Sequence, residues 1–268
     1  MKVNKVALCL IARLENKYIR EYVQHYQSLG FDKIFLYDNN RPGEENPIDE
    51  LQDYVDSGFV EIIRWMDFSR KAQRTSYQDC WDKHQNEYDW IAFFDADEYL
   101  ILNTTSDIHE FLSNEIYDGN YIVTVSTVHY DDNDIIINDS KTRLDKYTRV
   151  SSKYRYGWIK SIIRCKDNKV DFMNEEFISF HIPKIEHQEN VCNVDGKVNT
   201  HKNIWYFGKE ENAYLKHIPT GCIDDYVRYK DVRQHINSLE YLGLPYFRAF
   251  NDLTPEKEEY YNKHRIRR

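Results

Sequence analysis

The stretch WIAFFDADEYL, residues 90–100, sets Asp95, Asp97 and Glu98 directly behind a run of apolar and aromatic residues. Crowded carboxylates repel one another and lose hydration, so the cluster demands a compensating positive charge, and a bound divalent cation is the commonest such partner. In an extended segment residues two apart face the same way, so Asp95 and Asp97 project together while Ala96 leaves room between them. Two oxygen ligands with open coordination positions suit Mg²⁺ or Mn²⁺, which complete their shells with water and substrate phosphate. A phosphate-bearing ligand is therefore expected. Glu98 either binds such a metal through water or orients its neighbours. Acidic pairs at this spacing also cap helices and line surface turns. The buried strand in front of this pair, and the third carboxylate beside it, set it apart.

The elements that must position the cluster are readable from periodicity. VALCLIA (residues 6–12) is a short continuous apolar run, the mark of a strand covered on both faces. Ile19, Tyr22, Val23, Tyr26 and Leu29 then recur at helical spacing up to Gly30, a natural helix stop. KIFLYDNN predicts a second strand ending in Asp38, residues 47–57 a second helix, FVEIIRW a third strand, residues 69–87 a long helix and WIAFF a fourth strand. Strands alternating with helices at this rhythm predict parallel βαβ units and an α/β fold. Ligands of such sheets sit outside the carboxyl ends of the strands, so Asp38 and Asp95 are expected to face one cleft. Gln73 and Arg74, which open the third helix, are placed to reach a diphosphate, although an exposed helical Arg is the ordinary case. Further along, YIVTVSTVHY and GWIKSIIR predict strands and residues 224–242 a helix, and residues 168–216 read as acceptor-side loops. Lys160 and Arg164, four apart on a strand, face one side as phosphate or acceptor contacts or as halves of surface ion pairs. The expected organisation is one domain over residues 1–245 and a helical, basic tail over 246–268, solvated or touching a membrane surface.

Composition narrows the function classes. The net charge of −9, from 36 basic and 45 acidic residues, argues against a nucleic-acid binder that lives on phosphate neutralisation. The 22 tyrosines exceed what a core needs, and amphipathic rings of this kind stack on bases and sugar faces. Five scattered cysteines without a C-x-x-C pair suit a reducing compartment rather than a disulfide framework or thiolate zinc site. No run approaches the ~18 apolar residues of a membrane span, and the N-terminus reads poorly as a secretory signal. A cytoplasmic protein is expected, possible contact with the inner face of a membrane being left to the basic tail.

WIAFFDADEYL, preceded by QRTSYQDCWDKHQNEYD, resembles the signature of GT-A-fold glycosyltransferases of family 92 and the related family-2 type, whose fourth strand reads Trp-hydrophobic-Asp-x-Asp-Glu-Phe/Tyr-Leu. The opening IARLENKYIREYVQHYQSLGFDKIFLYDNN is similar to that family's first strand, helix and Tyr-Asp-Asn. Shorter matches are YDDNDIII, KSIIR, VCNVDGK and AYLKHIPTGCIDDYVRYK, so the resemblance runs from Val6 to Lys230. It implies a GT-A fold with a mostly parallel central sheet flanked by helices. It further implies that Asp95 and Asp97 hold Mn²⁺ or Mg²⁺ on the diphosphate of a nucleotide-sugar donor. Asp38 would contact the nucleoside, Ala12 or Arg13 border the base, and His217 sit beside metal and diphosphate. The last motif departs from the family: His217-Ile218-Pro219-Thr220 stands where relatives carry His-Tyr followed by Lys-Ser or Lys-Thr.

Sugar transfer needs the departing diphosphate stabilised, which a metal does as a Lewis acid, and the attacking hydroxyl deprotonated, which a carboxylate base speeds by on the order of 10²–10⁴. Asp131, Asp132 and Asp134 are the candidates; the resemblance selects Asp132 through its Asp-Asn pair, while Asp-Asp-Asn-Asp is equally a good turn sequence. The resemblance implies inversion, and a UDP-sugar such as UDP-galactose passing to a glycan or glycolipid of a surface polysaccharide. Two other readings compete. A phosphohydrolase of the haloacid-dehalogenase kind also sets Asp-x-Asp after a buried strand, but early in the chain and followed by Thr or Val. A non-catalytic nucleotide- or sugar-binding scaffold would share the architecture, because function belongs to the site.

Overall fold

The computed structural model describes residues 3, 5–174, 181–187, 189–198, 211–232 and 242–265. Its first half alternates as the sequence predicts: β1 (Val6–Ala12), α1 (Asn16–Ser28), β2 (Lys33–Asp38), α2 (Ile48–Asp56), β3 (Val60–Arg64), α3 (Ala72–His84) and β4 (Trp90–Phe93). Strand β1 is buried along its whole length because helices cover both of its faces. Tyr18, Ile19, Tyr22, Val23 and Tyr26 form the apolar stripe that seats α1 on the sheet. Gly30 follows with φ +83, a left-handed conformation in which a Cβ would lie 2.7 Å from Asp107 Oδ2.

After β4 come β5 (Glu98–Leu102), α4 (Ile108–Leu112), β6 (Ile122–His129), β7 (Tyr156–Arg164), β8 (Val170–Asp171), β9 (Lys184–Ile185), β10 (Val191–Asn193) and β11 (Ala213–His217). Helix α5 (Ile223–Asp225) runs straight into a π-helical turn (Tyr226–Lys230), and α6 (Gly243–Phe250) and α7 (Pro255–His264) close the described chain. Of the helix expected over 224–242, residues 233–241 lie outside the described residues, as do parts of the 168–216 loops and the last residues of the basic tail.

The main sheet runs β3-β2-β1-β4-β7-β6-β11-β5, with β10 joined to β6. Strands β3, β2, β1 and β4 are parallel, whereas β7 is antiparallel to both β4 and β6, and β5 is antiparallel to β11. The fold is thus α/β, with a parallel first half and a mixed second half. One core cluster, containing Tyr22, Tyr26, Trp90, Phe94 and Tyr99, fills the α1 face. A second, with Tyr77, Cys80 and Trp81 of α3, fills the opposite face. All five cysteines are buried and unpaired. Among the described residues no helix is long and apolar enough to cross a membrane.

Candidate functional site

The acidic cluster occupies the turn between β4 and β5, at the carboxyl edge of the parallel half. Glu98 closes this turn, its backbone N–H donating to the Asp95 carbonyl at 3.1 Å while its side chain accepts from the Asp95 N–H at 2.9 Å. Two neighbouring strands deliver the remaining groups. In the β7/β4 register Ser161 lies opposite Phe93, which leaves Lys160 beside the turn. In the β11/β5 register His217 lies opposite Glu98, and the Ile218 N–H donates to the Asp97 carbonyl at 3.0 Å.

Asp95 and Asp97 have different surroundings. The Asp95 Oδ2 accepts from Lys160 Nζ at 2.6 Å, and its Oδ1 accepts from Gln73 Nε2 at 2.7 Å and Tyr77 OH at 3.3 Å. Lys160 also lies 3.3 Å from Glu98 Oε2, so one buried ammonium serves two carboxylates. Burial works against the Asp95 charge, but Lys160, then His181, overcome it and bring its pKa down to about 2. Burial prevails at Glu98, where the Lys160 attraction offsets it only in part and the Asp95 charge adds to it, so its pKa rises to about 7. Asp97, 5% exposed, is gripped at Oδ2 by Lys230 from the π-helical turn. Its Oδ1 lies 3.5 Å from His217 Nε2. Lys230 continues to Glu15 at 3.5 Å and Glu15 to Arg143 at 2.7 Å, a buried chain of alternating charge. His129 packs beside the His217 ring, centroids 4.8 Å apart, and burial, reinforced by His217, holds it neutral with a pKa of about 2.

Asp38 ends β2 in register with Ala12 at the end of β1, on the same edge of the sheet. Its Oδ2 accepts from Arg64 at 2.5 Å and its Oδ1 from the Asn40 N–H and side-chain amide. Arg13 follows β1 and clasps Glu44 through two hydrogen bonds of 2.8 and 2.5 Å. Arg74 donates to the carbonyls of Phe172 (3.4 Å) and Asn174 (3.2 Å), bonds that pin a loop.

Asp132 is completely buried, its carboxylate 2.6 Å from Lys257 Nζ of α7 and its backbone N–H donating to Asn251 at 2.7 Å. Asn133 and Asp134 follow at φ 49 and 60, so the segment is a tight turn strapped to the terminal helix. These contacts are those of the turn that the Asp-Asp-Asn-Asp sequence also predicts.

The charge balance differs from the expectation. The positive charge that the cluster demands is present in the fold as Lys160 and Lys230. Among the described residues no group of three or more His, Cys, Asp or Glu side chains is arranged to hold a metal ion. Asp97 Oδ1 and His217 Nε2 nevertheless stand 3.5 Å apart, beyond good hydrogen-bonding distance, as an oxygen and a nitrogen donor converging on one place. An oxygen and a nitrogen donor of this kind fit Mn²⁺ or Mg²⁺ held jointly with a diphosphate, which would supply further oxygen ligands.

A sequence profile of glycosyltransferase family 92 matches residues 5–238. The chain belongs to glycosyltransferase family 92. Family 92 proteins of Ricinus communis (26% identical over 125 residues) and Oryza sativa (24% over 113) are among its relatives. Those alignments take in 45% and 42% of this chain but only 21% and 19% of the relatives, so the chain spans about a fifth of their length. Among solved structures it is similar to Staphylococcus aureus TarS 1–349 (12% identity, 60% of this chain and 47% of that one, TM-score 0.36). It is also similar to glucosyl-3-phosphoglycerate synthase of Mycobacterium tuberculosis, solved with Mn²⁺, UDP and glucosyl-3-phosphoglycerate (14% identity, 47% and 44% coverage, TM-score 0.27). Overlaps this partial carry no argument. The α/β sheet with its acidic turn after β4 is the GT-A-type architecture expected of a family 92 member, and membership sets aside the dehalogenase reading.

Lys230 and Glu15 were not legible as site residues. Each is a lone charge at a helical position, which reads as solvated, and only the packing of the π-helical turn against the residue before α1 brings them to Asp97. Lys160, which the sequence offers as a phosphate or acceptor contact or as half of a surface ion pair, is 2% exposed and holds the turn.

Proposed function

We propose that this family 92 chain transfers a sugar from a UDP-linked donor to a hydroxyl of a glycan or glycolipid, with Mn²⁺ or Mg²⁺ entering on the donor's diphosphate. The observation that carries this reading is the convergence of Asp97 and His217 at the carboxyl edge of the sheet, behind a buried strand and on the edge where Asp38 and Arg13 also lie. Asp97 and His217 would hold the cation, which when bound would supply Lewis-acid stabilisation of the departing diphosphate. Asp95, kept ionised by Lys160 and fixed by Gln73, sets the turn so that Asp97 points into the cleft. Asp38 and Arg13 border the nucleoside. Their ion pairs with Arg64 and Glu44 fix them beforehand, so little ordering is required when the donor binds. The acceptor hydroxyl attacks the anomeric carbon in a single displacement with inversion, and the bond from that carbon to the diphosphate oxygen breaks to release UDP. The hydroxyl proton passes to a carboxylate base on the acceptor side. The reaction serves a cytoplasmic step of surface polysaccharide assembly. Residues 1–245 act as the catalytic domain and 246–268 as an appended tail.

The test is a panel of UDP- and GDP-sugars assayed for donor cleavage and for protection against thermal unfolding, each with Mn²⁺ and with EDTA. Metal-dependent turnover and protection by a UDP-sugar are expected. A panel in which no nucleotide sugar is cleaved and none raises the melting temperature would overturn the reading.

A further inference from the structure

Asp97 is held by an ammonium 133 residues away in sequence, on a turn of unusual geometry. Residues 226–230 form a π-helix, a conformation that appears mostly as single turns and frequently at functional sites. The turn is firmly fixed: Tyr226 OH donates to the Gly243 carbonyl at 2.5 Å, and the Asp231 N–H donates to the Tyr226 carbonyl at 2.8 Å. It ends on Lys230, 5% exposed, whose ammonium lies between Asp97 and Glu15. Burying such a pair is expensive, and apolar residues of similar volume are often no less stable, so stability alone is a weak reason for this lysine. A cavity of about 10 Å³, room for about one water, adjoins Lys230 and is lined also by Tyr18, Tyr147, Thr220 and Gly221. The four-carbon stem of a lysine lets its charge move by small rotations, which a guanidinium fork does not match.

Lys230 Nζ is the nearest ammonium to Asp97, while Lys160 serves Asp95 and Arg143 serves Glu15. A divalent cation held by Asp97 together with a nucleoside diphosphate would supply charge to that carboxylate, and the still anionic diphosphate would then stand beside an ammonium freed from the nearer of its two carboxylates. We propose that Lys230 is a ligand of the donor's diphosphate: it neutralises Asp97 in the arrangement seen here and passes to a phosphate oxygen when Asp97 takes up the donor-borne cation. The proposal rests on the reading of this cleft as a donor site and names a residue which that reading leaves out. Lysine serves as a point charge for phosphate in this way, with three donors and no acceptor.

The test compares wild type with Lys230→Met by calorimetric titration with uridine, UMP and UDP, each in Mn²⁺, and with Mn²⁺ alone. The expected result is a loss of UDP affinity of roughly tenfold to a hundredfold in K230M with uridine affinity unchanged, the size of a charge-assisted hydrogen bond. Mn²⁺ alone should bind K230M more tightly than wild type, because its competitor for Asp97 is gone. Equal UDP affinity in the two proteins, or equal losses for uridine and UDP, would overturn the proposal while leaving the donor site standing. A wild type that binds no UDP would remove the donor-site reading and this proposal with it. Should K230M not fold, a crystal structure of wild type with UDP and Mn²⁺ decides: Lys230 Nζ within hydrogen-bonding distance of a phosphate oxygen supports the proposal, and Nζ still on Asp97 ends it.

Discussion

Residues 95–98 and residues 131–134 each set three carboxylates in four positions behind a strand, β4 in one case and β6 in the other. Both clusters are largely buried, and both meet a lysine from a distant element, Lys160 and Lys230 in the first and Lys257 in the second. Burial and pairing therefore do not tell a site from a structural turn. What differs is closure. Lys257, 1% exposed, reaches Asp132 and Asp134 together, Arg149 takes Asp131, and the left-handed Asn133 and Asp134 fold the chain back on itself. In the first cluster, by contrast, Asp97 Oδ1 and His217 Nε2 are brought within 3.5 Å of each other and left short of a good hydrogen bond. Shared lysines occur in both clusters; a converging oxygen and nitrogen that could take a ligand between them distinguish the first.

The sharpest way to break this contrast is to neutralise one aspartate in each cluster. Asp97→Asn should lower sugar transfer by the folded protein by about 10²–10³, the scale of losing one preorganised electrostatic contact in an active site, beside the stability cost of leaving Lys230 buried with Glu15 alone. Asp132→Asn should cost stability only. It leaves Lys257 charged and buried, which costs about 3–5 kcal/mol, enough to lower the Tm by roughly 10 °C in a chain of this size. UDP affinity of the protein that remains folded should be unchanged. An Asp132→Asn protein that melts normally and transfers no sugar would establish Asp132 as the base and erase the distinction between the clusters.

The same contrast explains what was legible beforehand. The parallel half of the sheet, α1 and the acidic turn follow from continuous apolar runs and helical spacing, which are local properties. Strand β5 was also within reach, since Glu98-Tyr99-Leu100-Ile101-Leu102 is itself a mostly apolar run. Its pairing with β11, more than a hundred residues later, is what sets His217 opposite Glu98, and no local pattern encodes that. Lys230 and Glu15 come together by the same kind of long-range packing. The ion pair of Asp132 was hidden for a related reason: its partner Lys257 lies in a charged segment that reads as a solvated tail, yet it is 1% exposed.

Titration sharpens the contrast further. Glu98 has its pKa raised from 4.5 to about 7, so between those values the folded chain binds more protons than the unfolded one, and the contribution of Glu98 to stability is lost as pH rises. Asp95, held down at about 2, loses its contribution only as pH falls below 4 and stays constant across this window. Unfolding by urea at pH 5, 6, 7 and 8 should therefore show Glu98→Gln gaining on wild type toward high pH, by on the order of 2 kcal/mol in total. Parallel stability curves for the two proteins would mean that Lys160 neutralises both of its carboxylates, and that the first cluster is as closed as the second.

The smallest effect is expected at Arg74, which the sequence puts within reach of a diphosphate and whose guanidinium donates to two backbone carbonyls at 3.2 and 3.4 Å. Bonds that long to neutral acceptors contribute about 0.5–1.5 kcal/mol together with the packing of the stem. Arg74→Ala should accordingly cost about 1 kcal/mol of stability, loosen the segment around Phe172 and Asn174, and change the Kd for UDP less than threefold. A tenfold loss of UDP affinity with stability intact would extend the group of exchangeable charges from Lys160 and Lys230 to α3, and the first cluster would then span three elements of the sheet edge rather than the turn after β4 and its immediate neighbours.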